Sequence, residues 1–299
     1  MFESKFSVLQ NAKRSEINYD PFPHIIIKNC LPKEYYNLLE SNYVSDEQLI
    51  KSFPERAGEN NRVKFRFNDI LNEKVSWHGS NHWLKFVNYH TSESFFRELI
   101  QLFGPEIRTL CPHVESRLQN TLEKVPVKVY EPFAKYNFDE SKAIFFDGDI
   151  GINTISSKTS SVRSDHVDGL QKLFGGLLYF RRADDNSIGG DLSLSRLKYG
   201  EKSTLNKSSE LNSDQVETRS TVKYQANTAV FWVNYPGAIH GVTQRGPSKV
   251  SRRLVYFSPR VDDKVIFPKG LYPNDWLDEN NSTFSKIKSS LKKLIKKIF

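Results

Sequence analysis

Hydrophobic and polar positions change rhythm three times along this chain of 299 residues. After a polar lead, DPFPHIIIKNC gathers its apolar residues into Ile25 to Ile27, which predicts a turn and a short buried strand. LPKEYYNLLESNY then spaces them as a helix does, with Leu31 and Pro32 at its start. Residues 45 to 80 are polar with no consistent period, and the pattern predicts no element there. From about Asn81 to Gln119 the spacing is helical again: NHWLKFVNYH, then SESFFRELIQLFG closed by Gly104, then PEIRTLCPHVESRLQ.

Beyond about Asp149 short strand-like runs follow one another: GINTISS, KLFGGLLYF, DLSLSRL, STVKYQ, TAVFWVNY, AIHGVTQ and RRLVYFSPRV. Turn signals such as ADDNSIGG, QANT, NYPG and RGPS separate them, and no long helical pattern intervenes. This predicts a mainly β protein with flanking helices (α+β), its sheet mostly antiparallel in a sandwich or jelly roll, with the earlier helices packed outside. Residues 199 to 220 form a mostly polar insert and predict a long loop.

The length allows a large core, and 21 Phe and 13 Tyr suit a packed, sheet-rich protein. The opening MFESKFSVLQNAKRSEI carries acids and no continuous apolar stretch, so no secretory signal is expected, and no run approaches a membrane span. Cys30 and Cys111 stand far apart, outside any CxxC spacing, and read as buried thiols of a reducing compartment. A cytoplasmic enzyme or binding protein is the expectation. The net charge of +8 raises the question of nucleic acid, but six lysines between 286 and 299 account for most of it. The basicity belongs to a tail, and no nucleic-acid partner is expected.

Candidate chemistry centres on SVRSDHVDGLQKLFGGLLYF, residues 161 to 180, where a polar segment turns into an apolar run. In extended backbone, side chains two apart project to one side, so His166 and Asp168 can reach one point. His240, in AIHGVTQ, offers a third ligand from another strand. Two histidines and one carboxylate form the facial ligand set of non-haem Fe(II) oxygenases. The bland alternative has His166 capping a turn, Asp168 starting one with Gly169, and His240 as an ordinary strand histidine. Two neighbours weigh against it. Arg252 heads an apolar strand, where a buried guanidinium calls for an anion, and Tyr179 can donate a hydroxyl to the same anion.

VRSDHVDGLQKLFGGLLYFRRADDNSIGGDLSLSR, NTAVFWVNYPGAIHGVTQ and RRLVYFS together resemble the successive core motifs of the 2-oxoglutarate and Fe(II)-dependent dioxygenases, nearest to the prolyl-hydroxylase-like group. The resemblance covers about residues 149 to 261, and DPFPHIIIKNCLPKEYY is similar to the segment that precedes that core. It implies a double-stranded β-helix (jelly-roll) core supported by N-terminal helices. It implies Fe(II) held by His166, Asp168 and His240, with 2-oxoglutarate and O2 as cosubstrates and ascorbate as an optional reductant. Arg252 would bind the far carboxylate of 2-oxoglutarate, with Arg253 as the alternative because a one-residue slip exchanges them. Tyr179 would donate a hydroxyl, and Asn153 and Thr154 would lie near the cosubstrate. A Gly or Ala in place of Asp168 would admit a halide, so Asp168 favours hydroxylation. Trp232, Tyr235 and Arg163 are candidates to border the pocket.

The resulting expectation is one oxygenase domain over residues 1–270, with support at 1–148, core at 149–262 and an extension at 271–299. It would hydroxylate a C–H bond of a small molecule or peptide, releasing succinate and CO2. Alternatives are a non-catalytic jelly-roll module binding a glycan or metal and, among enzymes, a peptidyl-prolyl hydroxylase. In the tail, Phe284, Ile287, Leu291, Leu294, Ile295, Ile298 and Phe299 fall at helical spacing opposite the lysines. Residues 284–299 therefore suit peripheral contact with an anionic membrane, docking on the body of the protein, or self-association.

Overall fold

The computed structural model describes residues 6–132, 134–137, 139–169, 171–198 and 210–262. Strand β1 (His24–Lys28) and helix α1 (Lys33–Ser41) stand where the hydrophobic pattern places them. The aperiodic stretch holds α2 (Asp46–Ser52), β2 (Arg62–Arg66) and α3 (Phe67–Leu71). Helix α2 starts at Ser45, whose hydroxyl accepts from the Gln48 amide at 3.1 Å and satisfies a donor of the first turn. In β2, Val63 and Phe65 are buried while Arg62, Lys64 and Arg66 share the opposite, half-buried face. That strand has only two apolar residues, too few to stand out against its polar surroundings.

Helices α4 (Ser80–His90), α5 (Glu93–Leu110) and α6 (Val114–Leu118) fill the second helical stretch. Gly104 does not close a helix: α5 runs on through Gly104 and Pro105. An interior proline costs about 3 kcal/mol. The fully buried stripe of Phe95, Leu99, Phe103 and Ile107 spans the break and outweighs it.

The strands that follow are β3 (Val127–Val129), β4 (Ile144–Asn153), β5 (Phe174–Tyr179), β6 (Leu192–Leu197), β7 (Val216–Val222), β8 (Thr228–Val233), β9 (Ile239–Val242) and β10 (Arg252–Arg260). They form a seven-stranded sheet in the order β1-β8-β5-β10-β4-β2, with β3 beside β4, and a three-stranded sheet in the order β7-β6-β9. All pairings are antiparallel except β3 with β4. The two facing sheets make the double-stranded β-helix, and strands β1 and β2 from the N-terminal part extend the larger one. The stretch predicted as a loop at 199–220 contains most of β7, because pairing with β6 overrides its polar composition. Residues 199–209 and the tail at 284–299 lie outside the described residues.

The larger sheet is buried on both faces, so its central strands read as continuous apolar runs. On β8, Ala229, Phe231 and Val233 join the core shared with the helices, while Val230 and Trp232 join the one between the sheets. Gly175 of β5 lies under the Trp232 indole, where a Cβ would come within 2.2 Å of the ring. Trp232 thereby reaches down into the inter-sheet space that holds the site.

Candidate metal centre

His166 and His240 are locked to each other by backbone: each amide donates to the other's carbonyl at 2.9 Å. This antiparallel bridge sets the rings side by side, with centroids 4.3 Å apart. Asp168, two residues beyond His166, projects to the same side. Its carboxylate lies 3.9 Å from Nε2 of each histidine, and one ligand atom from each residue falls within 4.8 Å of the others. All three side chains are buried.

Each imidazole is oriented by the backbone two residues before it. Nδ1 of His166 lies 2.8 Å from the Ser164 carbonyl, and Nδ1 of His240 lies 2.9 Å from the Ala238 carbonyl. A carbonyl only accepts, so Nδ1 carries the hydrogen and the Nε2 lone pair faces Asp168. Burial holds both histidines below their ordinary pKa, for His166 with help from the neighbouring ring of His240. Both are neutral near pH 7, the form that binds a cation.

Burial pushes the Asp168 carboxyl up, but attraction to the Lys172 ammonium, together with a hydrogen bond from Tyr256, opposes it, and the group is held well below the usual carboxylate range. The Tyr256 hydroxyl donates to Oδ2 at 2.5 Å, and the Lys172 ammonium lies 3.2 Å from Oδ1 and donates to Tyr256 at 2.8 Å. Asp168 is thus an ionised, clamped carboxylate. A divalent cation with nitrogen and oxygen preference suits this donor set.

The triad opens into a cavity of about 390 Å³ that also contains Arg252, Asn153, Trp232 and Leu254. Arg252 is 3% exposed, and its guanidinium lies over the rings of Tyr179 at 5.0 Å and Tyr224 at 4.8 Å. Nη1 donates to Oδ1 of Asn153 at 3.2 Å. Nε and Nη2, together with the Tyr179 hydroxyl, have no hydrogen-bond partner among the described residues. Leaving buried donors of a charged group unpaired is unfavourable by several kcal/mol or more. The fork matches a carboxylate, so the residues present fit a keto acid bound beside a metal.

The structure brings together His166, Asp168, His240, Arg252 and Asn153 on one cavity, with Tyr179 beneath the guanidinium. Arg253, on the opposite face of β10, lies over the Tyr43 ring at 5.0 Å, away from the triad. Thr154 is also elsewhere, its hydroxyl donating to the Gly58 carbonyl at 2.7 Å. Trp232 and Arg163 border the cavity, and Trp232 supports the His240 ring with centroids 4.6 Å apart. Tyr235 packs against the apolar cores instead.

Four further residues belong to the site. Tyr256 shares the inward row of β10 with Arg252 and Leu254, so the two-residue period alone points to it. Lys172, Arg62 and Lys64 carry no local signal, since the last two sit on the strand that the pattern hides. Arg62 and Lys64 pair with buried Asp149 at 2.8 and 2.5 Å.

Neither the protein-family models nor the curated proteins provide a match to this chain. Among solved structures, it is similar to a prolyl 4-hydroxylase from Phytophthora capsici, with 14% identity, a TM-score of 0.45, and coverage of 93% of this chain and 74% of that one. It is also similar to a Pseudomonas putida prolyl-4-hydroxylase, with 10% identity, a TM-score of 0.38, and coverage of 80% and 93%. A third is JOX2 in complex with 2OG, Fe and JA, with 13% identity, a TM-score of 0.44, and coverage of 84% and 72%.

Proposed function

We propose that this protein is an Fe(II)- and 2-oxoglutarate-dependent oxygenase that hydroxylates a C–H bond of its substrate. The observation that carries the reading is the meeting, in one cavity, of an oriented His-Asp-His cluster and a buried arginine with unpaired donors. When bound, Fe(II) with O2 supplies the oxidising power: one oxygen atom enters the C–H bond, the other ends in succinate, and 2-oxoglutarate loses CO2.

The chain's own residues do the rest. His166 and His240 would hold the ion through Nε2, and Asp168 through its carboxylate. Tyr256 and Lys172 fix that carboxylate in place. Arg252 would take the far carboxylate of 2-oxoglutarate between its free Nε and Nη2. Trp232, Leu177, Leu192 and Leu254 give this end of the cavity an apolar wall that limits water.

Anaerobic addition of Fe(II) and 2-oxoglutarate to the full chain tests the reading. A visible absorbance band is expected that requires both additions and is lost in His166→Ala, with succinate formed once air is admitted. Folded wild-type protein that takes up neither ion nor keto acid would overturn it. Metal uptake without succinate in the presence of candidate substrates would favour a binding module.

A further inference from the structure

Beyond the triad the inner face of the larger sheet continues as a charged shelf. A second cavity, of about 170 Å³, shares Lys64 and Asp147 with the first and adds Arg66, Tyr130, Pro132 and Arg260. Lys64 and Arg66 are alternate residues of β2 and face the same way, so one groove runs from the metal ligands to Arg66.

The charges along this groove do not cancel. The first cavity is lined by the cations Arg62, Lys64, Arg163, Lys172 and Arg252. Against them stand the carboxylates of Asp147, Asp149 and Asp168. Asp149 is shared by Arg62 and Lys64, and Asp147 is already paired with Arg260 at 3.1 Å. Neither Arg66 nor Arg163 forms an ion pair among the described residues. Fe(II) and the 2-oxoglutarate dianion would add equal and opposite charge, so the positive excess would persist in the loaded enzyme.

We propose that the substrate of this oxygenase carries an anionic group, a carboxylate or phosphate, received by Lys64 and Arg66 at the β2 end of the groove. The inference rests on the oxygenase reading. Charge complementarity in a half-buried groove favours an anion and rejects a cation. The shelf then fixes one end of the substrate while the rest extends toward the triad.

Protein loaded with Mn(II), which replaces Fe(II) without turnover, and 2-oxoglutarate tests this. Paramagnetic broadening of probe protons is measured for hexanoate, hexyl phosphate, 1-hexanol and hexylammonium. Both anions are expected to bind about tenfold more tightly than hexanol, the value of one charge-assisted hydrogen bond. The tighter of the two identifies the anion. The variant Arg66→Gln, which lies outside the metal cavity and breaks no ion pair among the described residues, is expected to lose most of that advantage and to keep Mn(II) and 2-oxoglutarate affinity. Adding Lys64→Gln to it is expected to remove the rest of the advantage. Equal binding of hexanol and the anions, no anion binding, or unchanged anion binding in a folded variant would overturn the proposal. Failure of wild-type protein to take up Mn(II) and 2-oxoglutarate is a separate result that removes the oxygenase reading and this proposal with it.

Discussion

On one face of the larger sheet, Phe86, Phe95, Phe146, Phe231 and Phe257 pack ring to ring, with centroids 5.3 to 6.2 Å apart. On the other face, also buried but opening into a cavity, lie two neutral histidines, an ionised aspartate and an arginine with free donors. Strand β10 feeds both: Val255 and Phe257 enter the helix-side core, while Arg252, Leu254 and Tyr256 enter the space between the sheets. Desolvation therefore acts twice in one strand. On the aromatic side it stabilises the fold. On the polar side it shifts protonation and leaves donors waiting, which ties the sheet's rigidity to the precision of the site.

Substitutions that act on one face alone sharpen this contrast, and any that act on both would break it. His240→Ala is expected to reduce succinate release by more than the roughly hundredfold that loss of an outer partner causes. Its urea midpoint should fall less than that of Phe257→Ala. That second variant, at the centre of the ring cluster, should lose about 3–5 kcal/mol in urea unfolding while its folded fraction binds metal normally. A parallel loss of metal affinity would show that the faces are coupled.

Arg252→Met separates stability from binding within the polar face. Isothermal titration should show 2-oxoglutarate affinity falling roughly ten- to hundredfold, and unfolding of the ligand-free protein should show stability unchanged or raised. Tyr256→Phe is milder: loss of its hydrogen bond to Asp168 should weaken Mn(II) binding about tenfold.

The aromatic side carries a pH dependence of its own, small near neutral pH. Burial pushes His90 down to about 3 from 6.5, so between these values the unfolded chain binds a proton that the folded chain refuses. Its contribution is complete above pH 6.5 and is lost as pH falls toward 3, by about 1.4 kcal/mol per pH unit. Urea titrations at several pH values should show this slope, and His90→Phe should reduce it.

Much of the site is legible from spacing. The two-residue period of extended backbone puts His166 beside Asp168, and the same period carries Arg252 to Tyr256. The hydrophobic runs locate β1, β5, β6, β8, β9 and β10, because each buries a dense set of apolar side chains. Where local preference and packing conflict, as at Gly104 and Pro105, spacing misleads: the buried stripe continues the helix that the residues themselves would end.

The choice between Arg252 and Arg253 shows the limit most clearly. Neighbouring strand residues face opposite ways, and the register against β4, which sets Arg252 opposite Asn153, decides which guanidinium enters the cavity. Lys172 reaches Asp168 through a turn, and Arg62, Lys64 and Arg66 join the groove through pairing of β2 with β4. The chain's alternation specifies which side chains can share a face, because that period is a local property of the backbone. Which faces meet, and so which charges share one cavity, depends on pairings between residues as far apart as Arg62 and Asn153, and those arise only when the sheet closes.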